Sequence, residues 1–228
     1  MDLSKSMDFF NPAEISERVH IIGCGSVGST VAELLARFGF TKITLYDFDI
    51  VEPHNIANQM FYKRHIGKPK VEALKDIILE INPDAEPDIK LQPKGWTGQT
   101  LNGYVILAVD SIELRQKIVK ENQLNIFIKG MFDFRTRLLD AQHYAADWSN
   151  RKHIEDFLRS MDFTDEEAVA NTPVSACGVV LGVAPTVRQI CTLGVSNMVN
   201  FIKDKKIKKM ILANAFDFTN GSPVLAIG

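Results

Sequence analysis

Three glycines, two aspartates and a lysine offer the first readable chemistry. Gly23, Gly25 and Gly28 form a GxGxxG run between the apolar stretch 19–22 and the helix-forming stretch 30–38. Glycines at such a strand-to-helix turn let backbone approach phosphates, and the helix N-terminus adds free N–H groups with a partial positive charge. Asp47 follows Gly28 by 19 residues, at the end of the next predicted strand, where a carboxylate can accept hydrogen bonds from ribose hydroxyls. Those features suit a nicotinamide-dependent dehydrogenase as well as an ATP enzyme, and a glycine turn that serves only strand–helix packing would look the same.

The next stretch separates these readings. Asp47-Phe48-Asp49 leads to Asn55-Ile56-Ala57-Asn58-Gln59, and then to Gly67-Lys68-Pro69-Lys70. This resembles the ThiF/MoeB/HesA family, bacterial relatives of ubiquitin-activating enzymes, whose pattern reads DxD…N(L/I)xRQ…GxxK. Ile81-Asn82-Pro83 and Val109-Asp110 with Arg115 behind it reinforce the resemblance, which runs from about residue 19 to 115 and more loosely through 175–203.

The resemblance implies an ATP-dependent adenylyltransferase that activates the C-terminal carboxylate of a ubiquitin-like or sulfur-carrier protein, or of a peptide, with release of pyrophosphate. Lys70 would reach the phosphates and stabilise charge developing at the attacked phosphorus. Asp110 would hold Mg²⁺, a cation that takes oxygen ligands. Asn55 and Gln59 would position phosphates and substrate, and Asp49 would support the nucleotide site beside Asp47. A homodimer is implied as well. The substrate carboxylate is already ionised, so no general base is needed.

Departures from the pattern matter. Asn58 stands where the family has arginine, removing a cation expected near the phosphates; Lys63 or Arg64, a turn later, are possible substitutes. The family's N-terminal arm often supplies an arginine to the partner subunit, and the first 18 residues here hold only Lys5 and Arg18. A catalytically degenerate module that keeps the nucleotide pocket and scaffolds a partner is therefore the alternative reading. Of the three cysteines, Cys177 lies where some relatives carry one ahead of a long helix and is a candidate for a thioester or persulfide, against a plain packing role. Cys24 and Cys191 read as packing. No CxxC pair is present, so no zinc site is expected.

The elements that must position these residues alternate between strand and helix. Stretches 42–46 and 104–109 read as strands, the second apolar throughout as in a parallel sheet covered on both faces. Val71, Leu74, Ile77, Ile78 and Ile81 recur at helical spacing, which puts Lys70 in a first helical turn. Further strands are expected at 126–129, 135–142 (antiparallel) and 208–217, with helices over 111–122 and within 174–202. The acidic segment 147–172 reads as a mobile surface crossover with a short helix at 151–159. The sum is a doubly wound, mostly parallel α/β sheet, Rossmann-like, with an antiparallel extension. One domain is expected over 1–228, comprising an arm (1–18), a nucleotide-binding core (19–130) and a substrate-side and dimer-side extension (131–228).

Among the 228 residues, 24% are charged and the formal net charge is −2, which gives no electrostatic footprint for nucleic acid and no polybasic membrane anchor. No signal-like or membrane-spanning run is evident, so a reducing cytoplasm is the expected location.

Overall fold

The computed structural model describes residues 1–170, 181–217 and 224–228. Its first half repeats one device: a short buried strand, a glycine or polar turn, then a helix laid back on the sheet. β1 (Val19–Ile22) is buried at all four positions and leads into α1 (Ser26–Arg37), which buries Val27, Val31, Ala32, Leu35 and Ala36. Gly39, at φ +86°, makes the turn after α1 that leads back to β2 (Ile43–Tyr46). α2 (Lys70–Ile81) follows, with Pro69 as its N-cap residue and Asn82 ending it. The short β3 (Lys90–Gln92) and the fully buried β4 (Gly103–Leu107) come next, then α3 (Ile112–Asn122).

The second half turns back on itself. β5 (Ile128–Thr136) and β6 (Asp140–Asp147) form a hairpin, followed by α4 (Arg151–Arg159) and α5 (Asp165–Ala170). α6 (Ala184–Asp204) precedes β7 (Met210–Asn214) and β8 (Val224–Ile227). The eight strands form one sheet in the order β3-β2-β1-β4-β5-β6-β7-β8. Pairing is parallel from β3 through β5 and antiparallel from β5 through β8. α1, α2 and α6 supply one core beneath the sheet, through residues such as Leu35, Leu74 and Ile190. Ile118 of α3 and Phe157 of α4 belong to a second core on the other face. β1 lies between β2 and β4, so the chain departs in opposite directions on either side of it, and a crevice opens at the strands' C-terminal ends.

Three expectations need correction. The stretch 135–142 is not one strand: Arg135 and Thr136 end β5, Asp140 begins β6, and the turn between them is Arg137-Leu138-Leu139, closed by the Arg137 N–H on the Asp140 carbonyl at 2.8 Å. That turn contains no glycine, proline or asparagine, so nothing in its residue types announces it. The segment after Asp147 is not a mere surface excursion, because Ile154, Phe157 and Met161 are buried in the second core. β8, pairing with β7 at the sheet margin, was not expected at all, and neither was β3.

Candidate functional site

The glycine turn is built as a phosphate cradle requires. Gly23 has φ +94°, and a methyl there would come within 2.6 Å of the Ala108 carbonyl oxygen. A methyl at Gly28 would sit 1.8 Å from the Gly23 carbonyl oxygen, so α1 packs against its own turn only because that position lacks a side chain. Around Gly25, the N-cap of α1, a methyl would meet nothing within 4 Å. The first turn of α1 therefore faces open space. A cleft of about 1540 Å³ fills it, lined by Gly25, Ser26, Asp47, Lys70, Asp110 and residues further along the sheet.

Asp47 stands at the end of β2. Its carboxylate accepts from the Cys24 N–H at 2.6 Å and from the Asp49 N–H at 2.8 Å, fastening the glycine turn to the next loop. A carboxylate has about four lone-pair sites, so it can still receive a ribose hydroxyl. Burial raises its pKa, against the lowering effect of those two N–H groups and of Lys70. Lys70, the first residue of α2, is buried, and its ammonium donates to the Asp49 carboxylate at 2.7 Å. Asn55 is buried too; its side-chain carbonyl accepts from the Glu52 N–H at 2.9 Å, stabilising the short 3₁₀ turn Pro53–Ala57. Gln59 lines the cleft, and its side-chain oxygen is buried without a partner among the described residues.

Asp110 follows β4, is exposed to the cleft, and makes no hydrogen bond or ion pair among the described residues. A lone carboxylate facing a phosphate cradle fits Mg²⁺, which binds through one or two carboxylates together with substrate phosphates. No cluster of three or more His, Cys, Asp or Glu able to hold a metal by itself occurs among the described residues. Cys24 and Cys191 are buried and their thiols are pushed up by burial, in keeping with packing roles. Cys177 lies outside the described residues.

Lys63 and Arg64 do not replace the missing arginine. Neither lines the cleft, and Arg64 is engaged by both oxygens of Glu80 at 2.6 and 2.7 Å and stacks on Tyr62.

Several groups at or behind the cleft wall have contacts that the sequence reading did not assign. Asp133 is fully buried and pairs with two guanidiniums: Arg115, which also donates to the Val109 carbonyl, and Arg135, at 2.7 Å. Arg135 also donates to Ser160 and lies over the Tyr144 ring, so the residue is held rigidly at the cleft wall. Its cross-strand row runs Arg135, Gln142, Leu212, Leu225 over β5 to β8, and all four line the cleft. Asp165 of α5 accepts from the Ser111 hydroxyl at 2.9 Å and from the Ile112 N–H, fixing the crossover to the start of α3 beside Asp110. The alternation Asp133-x-Arg135 was the available signal for the first group, since period 2 puts both side chains on one sheet face. Nothing local marks Asp165.

The chain belongs to the ThiF family, whose model matches residues 14–219. It is 30% identical over 121 residues to ubiquitin-like modifier-activating enzyme 5 of Caenorhabditis briggsae, covering 53% of this chain and 26% of that protein. It is 33% identical over 119 residues to the tRNA threonylcarbamoyladenosine dehydratase of Haemophilus influenzae, covering 48% of this chain and 46% of that one. The chain thus matches less than half the length of either curated relative. Its fold is that of E. coli MccB crystallised with ATP, with a TM-score of 0.62 at 16% identity over 92% of this chain and 63% of MccB. No helix among the described residues is long and apolar enough to cross a membrane.

Proposed function

We propose that this chain is an ATP-dependent adenylyltransferase that activates the C-terminal carboxylate of a ubiquitin-like or sulfur-carrier protein, or of a peptide, with Mg²⁺ and release of pyrophosphate. One observation carries the reading: a single cleft runs from the glycine turn past Lys70 and Asp110 and onto the row Arg135, Gln142, Leu212, Leu225. One end suits a nucleotide and the other an extended tail laid across strands, so a tail's terminal carboxylate can meet the nucleotide between them. The relatives' names agree, one being a ubiquitin-like modifier-activating enzyme and another a protein crystallised with ATP.

The residues divide the work by position. Gly25 and the first turn of α1 receive phosphates through backbone N–H groups. Asp47 holds the turn in shape and faces the ribose. Lys70, preplaced by Asp49, meets the charge that develops as the carboxylate attacks. Asp110 would hold Mg²⁺, which neutralises phosphate charge when bound. Asn55 keeps the loop that carries Gln59 in register, and Gln59 offers an unspent acceptor or, rotated, its amide donor. A homodimeric, cytoplasmic protein remains part of the proposal, and Cys177 stays open between a covalent intermediate and a packing role.

The test is ATP–pyrophosphate exchange with Mg²⁺ in the presence of candidate carriers and peptides. Exchange that requires an intact carrier C-terminus supports the adenylyltransferase. ATP binding with no exchange on any carrier favours the degenerate scaffold, for which Asn58 and the engaged Arg64 speak. Preference for NAD over ATP would sink both.

A further inference from the structure

We infer that Arg188, from the first turns of α6, supplies the positive charge toward a nucleotide's β- and γ-phosphates that Asn58 does not carry. The inference rests on the nucleotide reading above and adds a residue that the family pattern does not mark.

Arg188 does not itself line the cleft; it contacts α1 and Met60, the residue that follows the cleft-lining Gln59. Its guanidinium donates to the Thr30 hydroxyl at 2.7 Å and touches the Met60 sulfur. Thr30 in turn donates to the carbonyl of Ser26, a cleft-lining residue, at 2.8 Å. Met60 is held to α1 by its N–H on the Ser29 hydroxyl at 3.1 Å. The guanidinium is therefore about one helical turn, ~5.4 Å of rise, below the α1 N-terminus. The approach to α6 borders the cleft: Gly182 lines it, and a methyl there would come within 3.2 Å of the Asn58 amide nitrogen.

Arg188 is half-buried, and its contacts among the described residues include no carboxylate. Its partners are a neutral hydroxyl and a thioether. Taking a guanidinium partly out of water with no counter-charge is unfavourable unless an anion completes the arrangement. Five N–H groups are available on a guanidinium, and only one of its nitrogens is engaged among the described residues. Gln59, next in sequence to Met60, has a buried oxygen without a partner among the described residues.

Several other cations near the glycine turn are held by carboxylates, while Lys94 and Arg137 line the cleft itself with no ion pair among the described residues. Lys70 shares its charge with Asp49, and Arg64 is held by Glu80 on an exposed surface. Arg115 and Arg135 converge on Asp133. Arg188 is the cation against α1 whose charge is unmatched among the described residues. It acts as a positioning residue, through the field it adds behind α1's first turn, where the medium is less polarisable than water.

Calorimetry of the full chain with Mg²⁺·ATP and with AMP tests this. R188Q is expected to weaken ATP binding by about tenfold or more while leaving AMP within about twofold, because only the outer phosphates face the missing charge. R188K should keep most of the affinity, and N58R placed in the R188Q background should restore it by returning a cation to the family's position. A merely structural role would show as a lowered melting temperature with ATP and AMP weakened alike. That result, or unchanged ATP affinity in R188Q, overturns the inference. A wild-type chain that binds no ATP overturns the nucleotide reading itself, so the two failures are distinct.

Discussion

Lys70 and Asp49 are joined twice, through the lysine's backbone N–H on the Asp49 carbonyl at 2.9 Å and its ammonium on the Asp49 carboxylate at 2.7 Å. The lysine side chain is 9% exposed and the aspartate's 50%, so the pair is anchored on its buried partner and open to solvent on the other. Under the proposed function, a phosphate would meet an ammonium already in place. Lys70→Ala should lower ATP–pyrophosphate exchange by about 10²–10³-fold, the scale of losing one preorganised charge-stabilising group. Asp49 can turn to water in that variant, so thermal melting should shift by only a few degrees. Wild-type exchange rates in Lys70→Ala would remove Lys70 from the site.

Asp110→Ala separates metal from nucleotide. Wild type should bind ATP more tightly with Mg²⁺ than without, whereas the variant should show the weaker affinity in both conditions, because its only loss is a cation ligand. Calorimetry with and without EDTA reads this directly. A persistent Mg²⁺ effect in the variant would place the ion elsewhere.

Gly28→Ala tests the cradle through packing. With a methyl 1.8 Å from the Gly23 carbonyl oxygen, α1 must move off its turn, at a cost of about 1–3 kcal/mol or more. Denaturant unfolding should show the loss, and ATP binding should fall with it. Gly25→Ala, where the methyl enters open cleft, should fold normally and lose nucleotide affinity alone.

Acid should destabilise the fold through two buried histidines. His143 sits against Phe132 and Phe134, bonded to the Asp133 carbonyl and the Asn197 amide, and burial lowers its pKa to about 4. His20, bonded to Tyr46 and Asn102, is lowered by burial to about 4 as well. The unfolded chain protonates both near pH 6.5, about the ordinary histidine value. Stability from keeping them neutral is full above that pH and is lost as pH falls from about 6.5 through 4, where the unfolded chain binds more protons. Asp47, raised by burial, works in the opposite sense. Urea unfolding across this range should show the slope, and His143→Gln should flatten it by about one proton; an unchanged slope would mean His143 takes up its proton in the fold.

Much of the cradle was legible because its constraints are local. Val19–Ile22, the glycines and Asp47 sit within one strand–helix–strand unit, and Lys70 opens a helix whose apolar spacing is plain. What escaped depends on contacts between distant residues. Asp165 reaches Ser111 and Ile112 from more than fifty positions away, and Arg188 meets Thr30 from 158 away. The hairpin turn at Arg137-Leu138-Leu139 was misread for another reason: pairing of β5 with β6 makes the turn, and its own residue types do not.

The reversal of strand direction after β5 has a consequence for how such a protein can diversify. The parallel strands are stitched together by helices that also shape the glycine-turn end of the cleft, so a change there disturbs both core and turn. β6 to β8 are tied by hairpin-like pairing, and the residues they present to the cleft, Gln142, Leu212 and Leu225, are partly or largely exposed. Exposed positions of that kind accept substitution at little cost in stability. Under the proposed function, the nucleotide end would be tied to the core while the tail end would lie on a margin whose residues can change at little cost in stability, so different tails would be met by altering that margin alone.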